Sequence, residues 1–239
     1  MISQQLAMLD NRIRFQLRRF MIPHRLKRGF FTAVLVCLSF IVVDGQGLME
    51  RGIAIPRETQ ASLVESLQPL EEAVLLIKQQ DDPFVVAYEP DVSIYLKAVQ
   101  TAVFHNEFHH EKQFEVANRL IQTGLARAAH LLNGRAPWAN QTGLVVRGYR
   151  SKLDDSVQPY GLVVPEKYQS TGTDAHRMDI WLHGRDNRLT ELKFIDQRER
   201  SKGQFAPQNA FVLHPYGRFC NAFKFGGEVD VLEAKEHVQ

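Results

Sequence analysis

The sequence predicts an α/β fold built in two parts, a helical region followed by a sheet of strands alternating with helices. Three observations carry this. From about Arg57 to Asn133 the apolar residues recur at three- and four-residue intervals, the period of an amphipathic helix. Past Pro137 the texture changes to short apolar runs bounded by glycine, proline and asparagine, with helical stretches between them, which is the pattern of a sheet with parallel members. And 239 residues, 44% hydrophobic and 23% charged, suffice for a packed core and exclude collagen-like, low-complexity and wholly disordered chains.

Taken in order, Leu63, Leu67, Leu70, Val74 and Ile77 form a first helical stripe in which Pro69 either restarts or kinks the helix. Pro90-Asp91 is a helix start, and Val92, Tyr95, Val99 and Val103 follow on one face. Phe114, Ala117, Ile121, Leu125, Ala128 and Leu132 form a third stripe, stopped by Asn133-Gly134, where glycine suits a left-handed cap. Residues 144–149 and 160–165 read as strands, as do 177–183 and 211–214. Helices are expected over 189–200, with Leu192 and Ile195 inward, and over 228–238, with Val231, Ala234 and Val238 on one side. The charged run from Asp196 to Lys202 reads as a solvated helix face.

The amino terminus differs from the rest. Arg25, Lys27 and Arg28 precede an uncharged run over residues 29–43, followed by Asp44-Gly-Gln-Gly47. Fifteen residues fit the apolar region of a secretory signal better than a membrane span, which needs about 20. Residues 1–47 are therefore expected to be a signal peptide or, if uncleaved, a membrane anchor through 29–43, and the body is expected to be exported. Met21 offers an alternative start with an ordinary basic leader, which would make 1–20 a start-site artefact. This segment holds seven of the 29 basic residues and two of the 27 acidic ones, leaving a mildly acidic body and arguing against a nucleic-acid partner. Of the two cysteines, Cys37 lies in the apolar run and Cys220 in the body, so neither an internal disulfide after cleavage nor a cysteine-based zinc site is expected.

Ligands in an α/β sheet bind beyond the carboxyl ends of its strands. Two such ends stand out, Trp181-Leu-His-Gly-Arg185 and Leu213-His-Pro-Tyr-Gly-Arg218. Together with Val157-Gln-Pro-Tyr-Gly-Leu-Val-Val-Pro165 and Asp230-Val-Leu-Glu-Ala234, they make the chain from about Leu144 onward similar to the opening of a serine α/β-hydrolase domain, of the exported prolyl-oligopeptidase-like and esterase-like kind. The resemblance implies a helical accessory region over 48–136 and a partial, incomplete α/β-hydrolase sheet over 137–239. It implies a backbone oxyanion-hole role for His183, Gly184 and Arg185, substrate contacts from Tyr216 and Arg218, peptide or ester substrates, and no cofactor. The Gly-x-Ser-x-Gly nucleophile elbow is absent: none of Ser62, Ser66, Ser93, Ser151, Ser156, Ser170 or Ser201 sits in one. The chain is therefore expected to be inactive alone. A noncatalytic hydrolase-derived or membrane-tethered interaction module is the alternative, and self-association is expected through an unpaired sheet edge.

His105 and His109 are four apart and would share a helical face, but no third ligand is fixed by spacing and a polar surface is preferred, so no metal is expected. His183 and His214, at strand ends, are expected to hydrogen-bond turns. Arg185 is expected to bind a substrate carboxylate or to pair with Asp186 or a surface acid.

Overall fold

The computed structural model describes residues 50–169, 175–219 and 222–239, so the expectations for the signal segment, Cys37 and Cys220 lie outside the described residues. Helix α1 runs Arg57–Lys78, α2 Pro83–Tyr88, α3 Pro90–His105 and α4 Lys112–Leu132; a 3₁₀ turn at Pro137–Asn140 leads into the sheet. Strands β1 (Gly143–Arg150) and β2 (Val157–Val164) are followed by β3 (Arg177–Ile180), α5 (Glu191–Arg200), β4 (Ala210–Pro215) and α6 (Gly226–Val238).

Most of the expected stripe residues become buried, but on α4 Leu132 is exposed and Leu131 takes the inward place, because the helix phase shifts by one residue at that end. Leu63, Leu67, Leu70, Val74 and Ile77 line α1, which runs continuously through Pro69 rather than restarting there. Helix α3 is buried almost all round its first three turns because it lies between the other helices and the sheet. Asn106 adopts a left-handed conformation (φ 53°) and ends α3 directly after His105. His105 and His109 therefore do not share a helical face, which corrects the metal-ligand spacing read from the sequence. Among the described residues no group of three His, Cys, Asp or Glu side chains is placed to hold a metal ion.

The sheet order is β1-β2-β4-β3. Only β3 and β4 are parallel; β2 is antiparallel to both β1 and β4. Connection length decides this. Residues 151–156 are too few for a crossover and close β1 and β2 as a hairpin, whereas α5 provides the long crossover that a parallel β3–β4 pair requires. Strand β3 stops at Ile180, short of the expected His183. The last ladder bond is Trp181 N–H to the Leu213 carbonyl, 2.8 Å. In parallel register the next donor would come from position 215, a proline with no N–H.

Helices cover both faces of the sheet. Successive strand residues point to opposite sides: Gly148 and Gly161 face α3 and α5, while the neighbouring Tyr149 and Tyr160 reach α6 through Asp230 O (3.3 Å) and His237 Nδ1 (2.9 Å). The described residues form one compact unit, with helical and sheet residues in a single hydrophobic cluster, so the expected boundary at 136/137 falls inside a shared core. The run from Asp196 to Lys202 is solvated only in its second half, at Arg200, Ser201 and Lys202. Asp196 is buried and binds Arg119 and Arg200, and Glu199 binds Arg119 and the Tyr95 hydroxyl, because α5 is walled by α3 and α4.

The helices are fastened to the sheet at Asp91. This carboxylate is fully buried in the first turn of α3. Its Oδ1 accepts the Gly148 N–H (2.6 Å), and its Oδ2 accepts Trp138 Nε1–H and Arg147 Nε–H (2.8 Å each). Arg127 of α4 donates to the Asp91 and Val146 carbonyls, and its guanidinium lies over the rings of Tyr95 and Trp138 at 5.0 and 4.9 Å. The approach is close enough to need glycine: a Cβ on Gly148 would lie 2.3 Å from the Pro90 carbonyl oxygen.

Removing the carboxylate leaves a buried guanidinium and two N–H groups unpaired, so Asp91→Ala is expected to lower unfolding free energy by about 3–5 kcal/mol. Gly148→Ala, which forces α3 away from β1, is expected to cost about 1–3 kcal/mol. Urea midpoints at constant slope measure both.

Candidate functional site

The parallel register of β3 and β4 brings Trp181–Arg185 and Tyr216–Arg218 to the same end of the sheet. His183 joins the two loops. Its Nδ1 lies 3.0 Å from the Gly184 carbonyl and its Nε2 3.0 Å from the Tyr216 carbonyl, with the Phe223 ring at 4.8 Å. A neutral imidazole can donate to only one of these oxygens. Both ring nitrogens face main-chain carbonyls, so the expected turn-bonding role is what the geometry shows.

Gly184 and Arg185 are exposed, and their N–H groups donate to no acceptor among the described residues. The space above Gly184 is open: a Cβ there would meet nothing within 4 Å. The Arg185 side chain bonds the Asn187 carboxamide oxygen (3.3 Å) rather than an acid. Asp186 is taken by Lys193 (2.7 Å) and by the Arg188 N–H (2.9 Å).

The two residues expected to touch substrate are committed to architecture. Tyr216 is buried, its hydroxyl donating to the Leu189 carbonyl (3.2 Å). Arg218 sits in a left-handed conformation (φ 65°) and donates to Asp230 Oδ1 (2.8 Å), Asp154 Oδ2 (2.5 Å) and Ser151 Oγ (2.7 Å). It thereby ties the β4 loop to α6 and to the β1–β2 hairpin. Its guanidinium holds the Asp154 carboxyl well below the usual carboxylate range, while burial pushes Asp230 up.

Beneath the His183 loop, on the α5 side of the sheet, lies a cavity of about 250 Å³. Its apolar walls include Trp181, Leu189 and Phe194, and its polar groups include Gln197, Arg198 and His214. His214 is only 4% exposed. Its Nδ1 lies 3.1 Å from Arg198 Nη1; since a guanidinium only donates, Nδ1 is the acceptor and the ring's proton is on Nε2. That Nε2 has no partner among the described residues. Burial, assisted by the positive charge of Arg198, lowers the His214 pKa to about 4.

His214 thus faces a side chain rather than the expected turn, and Arg198 was missed because it sits in a run read as solvated. A signal was present in β2. A glycine inside a strand marks close approach, and a Cβ on Gly161 would lie 2.7 Å from Arg198 Cγ and Cδ.

The unfolded chain takes up a proton on His214 near the ordinary value of 6.5, before the folded protein does at about 4. The neutral buried ring therefore contributes fully above that ordinary value, and its contribution is lost as pH falls toward the folded one. NMR titration of the His214 ring is expected to show a midpoint of about 4; a midpoint at the ordinary histidine value would contradict the burial. Gly184→Ala, with open space and an unstrained backbone, is expected to change stability by less than about 0.5 kcal/mol in thermal melts.

No protein-family model, curated protein or solved structure matches the chain. The fold is mixed α/β with a four-stranded open sheet, β1-β2-β4-β3.

Proposed function

We propose that this chain carries the opening part of an exported serine-hydrolase-type domain, whose complete form performs peptidase- or esterase-type acyl transfer, and that these 239 residues are inactive alone. The observation that carries the reading is the loop His183-Gly184-Arg185. It follows the parallel strand β3 and presents, at the carboxyl end of the sheet, the N–H groups of Gly184 and Arg185, which donate to no acceptor among the described residues, as an oxyanion site requires. Strand order supports it as well. A hairpin, then a parallel pair joined by a helix, then α6 is the sequence of elements with which an α/β-hydrolase sheet approaches its nucleophile strand. That strand would lie beside β3, whose outer edge is unpaired among the described residues.

The reaction needs a serine on a strained turn, an acid and a histidine. The elbow motif is absent from the sequence, and neither His183 nor His214 has the free, accessible ring of a general base. A noncatalytic, hydrolase-derived module is favoured as the second reading by that absence and by the commitment of Tyr216 and Arg218 to packing. In both readings the apolar segment 29–43 directs export or tethers the protein to a membrane.

A serine-directed fluorophosphonate probe is expected to leave the purified chain unlabelled, and labelling would overturn its inactivity. Reading the coding sequence past Gln239 in all frames is expected to reveal Gly-x-Ser-x-Gly within about one helix–strand unit. Its absence would favour the noncatalytic module. The open edge of β3 continues into exposed Ile180, Trp181 and Leu182, so concentration-dependent self-association is expected in sedimentation velocity, weakened by Leu182→Lys.

A further inference from the structure

We propose that the cavity on the α6 face of the sheet binds an elongated arylalkyl carboxylate, its carboxylate held by Arg147 and its ring seated against Tyr168 and Phe211. This cavity, about 340 Å³, lies on the opposite face of the sheet from His214 and shares no residue with the one beneath the His183 loop, so the proposal does not depend on the hydrolase reading.

Strand register sets its shape. Tyr160, Leu162 and Val164 are alternate residues of β2 and face α6 together. Tyr160 pairs with Arg147 of β1. Four residues on, Val164 comes level with Phe211 of β4, whose partner in β3 is Met178. At about 3.3 Å per residue the two ends are about 13 Å apart along the strand, with Leu162 as the floor between them. The site is a trough, polar at one end and aromatic at the other.

Arg147 is the polar end. Its Nε–H is spent on Asp91 (2.8 Å) and its guanidinium lies over the Tyr88 ring at 5.2 Å, so the plane of the group is fixed. Nη1 and Nη2 donate to nothing among the described residues, and neither is sealed from the surface. Two such donors in one fixed plane match the two oxygens of a carboxylate. The charge balance favours an anion as well. Arg127 also leans on Asp91, through its carbonyl, and reaches no carboxylate among the described residues, so two guanidinium groups share one buried negative charge. A monoanion at the Arg147 fork supplies the second.

The far end is built of rings. Tyr168 and Phe211 pack edge to face at 4.8 Å, and His176 meets Tyr168 at 5.3 Å. Tyr168, Met178 and Phe211 are only half-buried, which leaves ring and thioether surface for a ligand ring to cover. A linker of a few methylene groups over Leu162 joins that ring to a carboxylate at Arg147, and the volume accommodates both.

Titration of the full chain with phenylbutyrate, phenylbutyramide and butyrate tests this, read by calorimetry and by the Met178 methyl resonance. Phenylbutyrate is expected to bind saturably with a Kd below about 1 mM and to shift that methyl. Phenylbutyramide, which lacks the charge, and butyrate, which lacks the ring, are each expected to bind about tenfold more weakly. Tyr168→Ala, with an unchanged thermal midpoint, is expected to weaken phenylbutyrate about fivefold or more. Equal binding of the amide or of butyrate, or an unaltered affinity in Tyr168→Ala, overturns the proposal. If Tyr168→Ala does not fold, the wild-type methyl decides: a resonance unmoved by saturating phenylbutyrate overturns it, and a shift produced by phenylbutyrate but not by the amide supports it.

Discussion

The architecture hangs on one buried carboxylate. Asp91 gathers a strand N–H and a guanidinium from β1 and an indole N–H from the 3₁₀ turn, while Arg127 reaches the carbonyl of the same residue from α4. A charge taken out of water is tolerable only when its lone pairs are filled, so once α3 forms, the positions of β1, the 3₁₀ turn and α4 are no longer independent. Gly148 is the matching half of the constraint, because any side chain there would collide with the Pro90 carbonyl and hold Asp91 out of reach. Helices and sheet therefore form one body, with α3 over Gly148 and α5 over Gly161.

From that frame the carboxyl end of the sheet follows. Lys97 of α3 bonds the Val157 carbonyl (2.8 Å) and Glu191 (2.5 Å), pinning the start of α5 to both β2 and α3. With the start of the crossover helix fixed there, β3 and β4 lie parallel, and their following loops meet at His183. The polar groups of that loop are then divided by use. Arg218, Tyr216 and the His183 ring are consumed in holding loops together, whereas among the described residues the Gly184 and Arg185 N–H groups and His214 Nε2 have no partner.

Some of this was legible in advance and some was not. The stripes Leu63 to Ile77 and Phe114 to Leu132, the Pro90 start and the Gly134 stop appear in the structure close to where periodicity and capping chemistry put them, because both are local properties of a few successive turns. The short helix α2 was missed: Pro83–Tyr88 is too brief to show a period, though Asp82 caps it by accepting the Phe84 N–H (2.7 Å). Asp196 and Glu199 read as solvated because a charge run gives no hint that Arg119, some 80 positions earlier, will face it.

The sequence by itself determined the two textures of the chain, the close of β4 around His214, and the absence of a serine elbow, since each is written in neighbouring residues. Only the tertiary structure decided which strands run parallel, that Arg218 is a tie rather than a ligand contact, and that Arg198 meets His214. Those outcomes depend on which donors and acceptors remain once every nearer partner has been taken, and that accounting closes only when the whole chain is folded.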